Sequence, residues 1–220
     1  PRYTVFNQIQ DGKIKANLEI DYYGEKKTDF KYNLNGKIID AELNIFNRIK
    51  VGKINFNFSI KNKNYEFRNI SFNNEAIAFN SSKIQVNKFQ KNFEVKGDLI
   101  SKKTLIDPSY LSSIINYKLD ILDSRKILAE SINKFNFKID STNKIKNLNI
   151  DSKINFKELF FNKKFQNLIY LKNGIINTNY SDNNIKIILE SGYSYTDTKY
   201  TNNVKDLIKL NIIKKQNDNF

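Results

Sequence analysis

A regular two-residue alternation of apolar and polar side chains over residues 53–72 constrains the fold of this chain most. In KINFNFSIK the apolar members alternate with lysine, asparagine and serine; they are Ile54, Phe56, Phe58 and Ile60. Successive side chains of a β-strand point to opposite faces of a sheet. The stretch therefore predicts a strand with one apolar face and one polar face.

The alternation continues in the following residues but changes phase partway. Tyr65 and Phe67 follow one phase, and Ile70 and Phe72 follow the other. An extra residue in one strand of a pair, a β-bulge, shifts the phase in this way. We therefore expect a bulge or a short break between Phe67 and Ile70.

The same alternation recurs along almost the whole chain. A phrase that begins with Lys-Ile returns at Lys13, Lys53, Lys83 and Lys153. Serial repetition of a strand and a turn is typical of a meander, in which each strand pairs with the next. We predict a mainly β fold: a serial antiparallel meander that forms a long, twisted, groove-like or sandwich-like sheet. Residues 1–220 are expected to be a single β-rich segment of a larger protein.

Turn residues divide the predicted strands. Asn-Gly dipeptides between apolar runs are the strongest short hairpin signal, and they occur at Asn35-Gly36 and Asn173-Gly174. Residues 21–27, which include Gly24, are also predicted to turn. The segment 160–171 is apolar but irregular and has no assigned structure, and residues 207–213 are predicted to form the last strand.

The middle of the chain departs from the strand pattern. Asp107-Pro108 is typical of a helix N-cap followed by proline at the first helical position. Apolar residues between 111 and 122 then follow a helical period, and Asp123-Ser124 is expected to cap a second short helix that carries Ile127. We therefore predict a helical insert at about residues 108–133.

The composition removes most enzyme classes. The chain has no histidine and no cysteine, which excludes an imidazole base, a thiol nucleophile and the common zinc sites. Two carboxylate pairs, Glu19 with Asp21 and Asp120 with Asp123, are expected to be solvated charges. Aspartates at positions 140, 151 and 182 lack the spacing of a calcium loop. We predict a protein without catalytic residues, cofactor or metal.

The formal charge of +14 raises the possibility of a polyanionic partner such as nucleic acid. A base-stacking surface needs aromatic rings and cations on the same exposed face. Here the aromatic residues share the phase of isoleucine and leucine, away from the lysines. We therefore predict no nucleic-acid partner, and we expect lysine to occupy the solvent face of many strands.

Neither a signal peptide nor an apolar run of transmembrane length is visible. The chain begins with Pro1 rather than methionine. We therefore expect it to be an excised or processed piece whose targeting segment is missing.

The phrases SKIQVNKFQKNFEVKGDL (82–99) and AESINKFNFKIDSTNKIKNLNIDSKINF (129–156) resemble the AsmA-like family of Gram-negative envelope proteins, and are similar to its TamB-type and YhdP-type members. The resemblance covers most of residues 50–195. It implies a repeating β-sheet with an apolar concave face, in the periplasm, anchored to the inner membrane through a segment that is not present here. It also implies a non-enzymatic role in moving phospholipids between the membranes and in maintaining the outer membrane.

Under this interpretation, phospholipid acyl chains are the ligand and the apolar alternation supplies the lining. The expected lipid-groove residues are Ile54, Phe56, Phe58, Ile60, Phe67, Phe135 and Phe137. The competing interpretation for each is ordinary core packing. An alternative function is a closed β-sandwich or barrel that binds a glycan or protein ligand through surface tyrosines such as Tyr193, Tyr195 and Tyr200. The oligomeric state is left open.

Overall fold

The computed structural model describes residues 9–22, 30–45, 49–74, 77–115, 120–142, 144–164, 169–181, 184–196 and 207–214. They form eleven strands and one short helix. In chain order these are β1 (Ile9–Tyr22), β2 (Phe30–Ile45), β3 (Ile49–Lys61), β4 (Asn64–Asn74), β5 (Ile77–Phe89), β6 (Asn92–Ile106), α1 (Pro108–Ile115), β7 (Ile127–Ile139), β8 (Ile145–Leu159), β9 (Ile169–Ser181), β10 (Asn184–Tyr195) and β11 (Leu207–Lys214).

The strands form a single antiparallel meander. Each strand pairs with the next one along the chain, in the order β1 to β11 without a crossover. Among the described strands the sheet does not close on itself, so β1 and β11 are its two outermost strands. The predicted fold class is confirmed, and so is the last strand at β11.

Backbone contacts divide the chain into two compact units. Unit 1 comprises residues 1–100 and 134–148, and unit 2 comprises residues 101–133 and 149–220. Strands β6, β7 and β8 therefore contribute residues to both units. Each unit is described by itself below.

The predicted phase change in β4 is a bulge. Asn69 has a φ of 52° and lies between Phe67 and Ile70, where the pairing of β3 with β4 shifts register. A left-handed residue inside a strand restores the apolar residue beyond it to the original face. Asparagine accepts this conformation more readily than most residues.

The same device recurs in the two preceding strands. Asp40 (φ 51°) lies between the apolar residues Ile38 and Ala41 of β2, and Lys53 (φ 52°) lies just before Ile54 of β3. The pairing of β2 with β3 shifts register between Ile38 and Ala41. Asp40 is held there because its backbone N–H donates to Asn55 Oδ1 at 3.0 Å.

Both Asn-Gly predictions are wrong. Asn35-Gly36 lies inside β2 and Asn173-Gly174 lies inside β9. In each case the glycine faces a phenylalanine of the neighbouring strand, Phe58 opposite Gly36 and Phe156 opposite Gly174. Glycine is used here because its missing side chain leaves room for an aromatic ring.

The hairpins that the structure describes use other residues. Asn62, with a φ of 51°, forms the β3–β4 turn with Lys63, and Gln90, with a φ of 54°, forms the β5–β6 turn with Lys91. Positive φ at the first central residue matches the twist of the flanking strands. The predicted turn at 21–27 lies mostly outside the described residues.

The helical insert is much shorter than predicted. Helix α1 ends at Ile115, and Ile127 begins β7, so the second helix is wrong. Asp107 does cap α1, since it accepts a hydrogen bond from the Ser109 N–H at 2.9 Å. Asp123 instead forms a local turn, in which Arg125 N–H donates to Asp123 Oδ1 at 2.9 Å.

Packing in β7 explains the wrong helix. Ile127 and Ala129 are both buried and belong to one cluster with Phe156 and Leu171 in unit 2. Strand alternation places Ile127 and Ala129 on the same face, so tertiary packing overrides the local helical spacing. In unit 1 a second cluster forms around Ala41, Val51 and Ile54.

Candidate ligand-binding face

The apolar side of unit 1 begins with β3. Alternation after Lys53 places Ile54, Phe56, Phe58 and Ile60 on one face of the strand. Ile54 and Phe58 are buried, whereas Phe56 and Ile60 are only half-buried. The four residues therefore share one face, as the sequence predicts, but they differ in how far they are buried.

Aromatic rings connect β3 to β4. Phe67 faces Phe58 in the β3–β4 register. Its ring lies 5.6 Å from that of Phe56 in an edge-to-face arrangement, and the Phe56 and Phe58 rings are 6.4 Å apart. Such pairs add about 0.5–1.5 kcal/mol beyond the area they bury. Phe67 stays half-buried in spite of these contacts.

The same face continues to β7. Phe67 pairs with Ile84 of β5. A β-carbon at Gly97 of β6 would lie 2.8 Å from Ile84 Cγ1 and 3.0 Å from Phe135 Cζ, so Gly97 lies between these two side chains. The Phe135 and Phe137 rings are 6.0 Å apart, and both residues are half-buried.

All seven predicted groove residues therefore lie in unit 1, on a continuous apolar surface that we call the apolar face. It also extends to β2 and β1 through the pairings of Phe58 with Gly36 and of Gly36 with Ala16. Sequence reasoning named these seven members but missed Tyr65, which pairs with Ile60, and also Ile84 and the glycines Gly36 and Gly97. They could have been found from the sequence, because in their strands they occupy the alternating positions that point to the same face as the phenylalanines.

The exposure of this face is unusual for a core. Five of its seven predicted residues are half-buried, and Leu18 of β1 is 55% exposed. Leu18 faces Leu34 of β2 on the same side. Large apolar side chains in a closed core are usually buried almost completely. The face therefore presents aromatic and aliphatic surface to solvent.

The opposite side of β3 and β4 is polar. Glu66 pairs with Arg68 and accepts from Lys83, whose Nζ lies 2.7 Å from Glu66 Oε2. The hydrogen bond from Lys83, with the charge and hydrogen bond of Arg68, holds the pKa of Glu66 below its ordinary value of 4.5. A concavity of about 400 Å³ adjoins this cluster, lined by Asn35, Asn57, Phe58, Ser59, Glu66, Arg68 and Asn69.

A second concavity lies at the β5–β6 hairpin of unit 1. It has a volume of about 300 Å³ and is lined by Phe89, Asn92, Phe93, Glu94 and Lys138. Lys88 Nζ lies 5.7 Å from the centre of the Phe93 ring, within cation–π range. Phe89 is 59% exposed, so the hairpin carries an apolar surface flanked by lysine.

Unit 2 contains a stack of three side chains. The Arg125 guanidinium lies 3.4 Å from the centre of the Phe160 ring, and that ring stacks on Tyr170 at 4.5 Å. Asp123 binds the same guanidinium through Nε at 3.0 Å. This hydrogen bond is the main cause that holds the pKa of Asp123 below its ordinary value. The stack lies next to the isolated β-bridge between Leu122 and Phe161.

The tyrosines that the alternative binding function requires at the surface are not exposed where the structure describes them. Tyr193 packs against the buried cluster of unit 2, and its ring lies 6.2 Å from that of Tyr195. Both are half-buried rather than exposed. Tyr200 lies outside the described residues.

The acidic side chains make local contacts. Glu19 accepts from Asn33 at 3.0 Å, and Asp151 accepts from Asn179 at 2.6 Å. Asp140 accepts from the Thr142 hydroxyl at 2.6 Å, which is the first cause of its lowered pKa. Within the described ranges no group of three or more acidic side chains is placed to hold a metal ion. Position 182 lies outside them.

None of the helical structure in the described part of the chain has the length and apolarity to cross a bilayer. No family model, curated protein or solved structure matches the chain.

Proposed function

We propose that the apolar face of unit 1 accommodates the acyl chains of phospholipids and that the chain has no enzymatic activity. The observation that carries the proposal is the incomplete burial of Phe56, Ile60, Phe67, Phe135 and Phe137 on one continuous surface. Removing apolar area from water contributes about 25 cal/mol per Å². An acyl chain laid on these rings would gain that contribution without requiring any hydrogen-bonding group.

The chemistry of the face fits this ligand class. Acyl chains present shape and apolarity, so the surface that binds them needs hydrophobic and aromatic side chains rather than fixed hydrogen-bond donors. The half-buried phenylalanines meet this need, because their neighbours Phe58 and Ile54 are buried and anchor the strand. On this proposal the buried members hold the face and the half-buried members contact lipid.

The wider setting is part of the same proposal. The serial meander is the fold that the AsmA-like resemblance implies. The resemblance implies a sheet in the periplasm of a Gram-negative bacterium, connected to the inner membrane by another segment and serving phospholipid movement or outer-membrane maintenance. We propose this location and role for the chain.

Native mass spectrometry of the chain after incubation with mixed detergent micelles that contain phosphatidylethanolamine tests the proposal. We expect adducts of one or more lipid masses. The F56S/F137S variant should lose them, because both side chains are half-buried and neither supports a glycine contact. The control variant N57S/K138S changes the adjacent residues on the opposite face and should keep them. Lipid-free wild type, or equal adducts in both variants, would overturn the proposal.

A further inference from the structure

The outer edge of β1, which pairs with no other described strand, has a charge pattern that complements itself. The polar face of this strand reads Lys13, Lys15, Asn17, Glu19 and Asp21, with cations at one end and anions at the other. In an antiparallel pair the ends of the two strands are exchanged. Two copies of β1 aligned about Asn17 would therefore place Lys13 opposite Asp21 and Lys15 opposite Glu19, twice over.

The register of such a pair is restricted. A shift of one copy by two residues keeps the polar side chains on the same face. In one direction this shift brings Asp11 opposite Asp21, which is a repulsive contact between carboxylates. A slip in the other direction leaves Glu19 opposite Asn17 and removes its partner Lys15. Cross-strand pairs of opposite charge stabilise a sheet and directly opposed like charges destabilise it. The register centred on Asn17 is the one that pairs each of the four charged side chains from Lys13 to Asp21 with an opposite charge.

The apolar side of β1 supports the same pairing. Ile14 is 66% exposed, Leu18 is 55% exposed and Ile20 is 60% exposed. In the register centred on Asn17, Ile14 would face Ile20 and Leu18 would face Ala16 of the second copy. The apolar face would then continue across the edge, and these side chains would lose part of their contact with water.

The backbone of β1 is suited to pairing. From Lys13 to Tyr22 it pairs with β2 without a register shift, and the irregularities are confined to residues 9–13. Every residue from 11 to 21 is exposed. A long, regular edge strand presents unpaired N–H and C=O groups to a further strand. Its usual protection by lysine is incomplete here because Glu19 and Asp21 balance Lys13 and Lys15.

We propose that β1 is a homodimer interface, through which two copies of this chain pair antiparallel about Asn17 and extend the sheet. The pairing is isologous, so it closes at two copies. The opposite edge does not offer the same match: the charged residues of β11 are Lys209 and Lys214, both cations. The inference does not depend on lipid binding.

Sedimentation velocity of the whole chain over a range of concentrations tests the proposal through two single variants, K15E and E19K. Each places like charges opposite one another at two symmetric positions, and we expect dimer dissociation constants at least about tenfold higher. An equimolar mixture of the two variants restores opposite charges at every position. It should therefore dimerise about as well as wild type.

Recovery of the dimer in the mixture would show that the two variants weaken pairing through these specific opposed charges and not through a change in net charge. The variant K61E makes the same charge change at the end of β3, away from the edge, and should dimerise like wild type. A wild-type chain that stays monomeric would overturn the proposal, and so would a dimer that K15E and E19K leave unchanged. Assemblies that grow beyond two copies would also overturn it, because an isologous pair of β1 strands closes at two copies.

Discussion

The ring of Phe156 occupies the space beside Gly174 where the β-carbon of any other residue would lie. The two residues face each other across β8 and β9. A β-carbon at position 174 would lie 2.5 Å from Cε1 and 2.8 Å from Cε2 of the ring, and closer still to Cζ. The absence of a side chain at Gly174 is thus what allows Phe156 to be buried in unit 2.

Substitution of Gly174 by alanine should therefore destabilise the fold. We expect G174A to lower the free energy of unfolding by about 1–3 kcal/mol, the usual effect of overpacking. Gly52 is the matched control, since a β-carbon there meets only Glu42 Oε1 at 3.8 Å. Urea denaturation of both variants checks the prediction, and equal losses would contradict it.

Replacing Lys53, the left-handed residue of β3, by glycine should stabilise the fold. Lys53 has a φ of 52°, which costs an ordinary L-residue about 1 kcal/mol. K53G should therefore raise the midpoint of thermal unfolding. K61G, at the end of the same strand, should lower it, because glycine weakens a regular strand. The account of the bulge fails if both variants lower the midpoint.

The stack on Phe160 should distinguish arginine from lysine. Arg125 Cζ lies 3.4 Å from the centre of the ring and the same guanidinium binds Asp123, a combination that suits a planar guanidinium. We expect R125K to lose about 0.5–1 kcal/mol of stability despite keeping the charge. R68K, at an exposed ion pair, provides the comparison in the same denaturation experiment. An equal or larger effect in R68K would contradict the stacking role.

The pH dependence of stability should contain a contribution from Glu66. Its pKa is lower in the folded chain than the ordinary 4.5, so the stabilisation is fully present above about pH 4.5 and is lost as the pH falls through the folded pKa. E66Q cannot titrate. Its free energy of unfolding should fall less steeply than that of wild type below pH 4.5, and parallel curves would contradict the assignment.

Particular residues show how far sequence reasoning reached. The alternation from Ile54 to Ile60 determined the shared face, because period two is a local property of a strand. The bulge before Ile70 was visible for the same reason. The turn predicted at Asn173-Gly174 is wrong, because Gly174 makes room for the ring of Phe156 in the neighbouring strand. Exposure of Phe56 could not be predicted, because burial depends on which elements cover a face.

The insert shows the same limit. The cap at Asp107 was recognised from neighbouring residues and is confirmed. The sequence places Ile127 in a helix because Asp123-Ser124 is typical of a helix cap. It is a strand residue because it packs with Phe156 and Leu171 in a buried cluster. These contacts are distant in sequence, so the residues around Ile127 do not reveal them.

The most direct test of the central claim uses one fluorophore at two adjacent positions. The chain contains no tryptophan, so F137W and K138W each introduce a single reporter, one on the apolar face and one beside it on the opposite side of β7. Phospholipid with brominated acyl chains quenches tryptophan only on close contact. We predict strong quenching in F137W and little in K138W. Equal quenching at the two positions, or none at position 137, would contradict lipid binding on the apolar face.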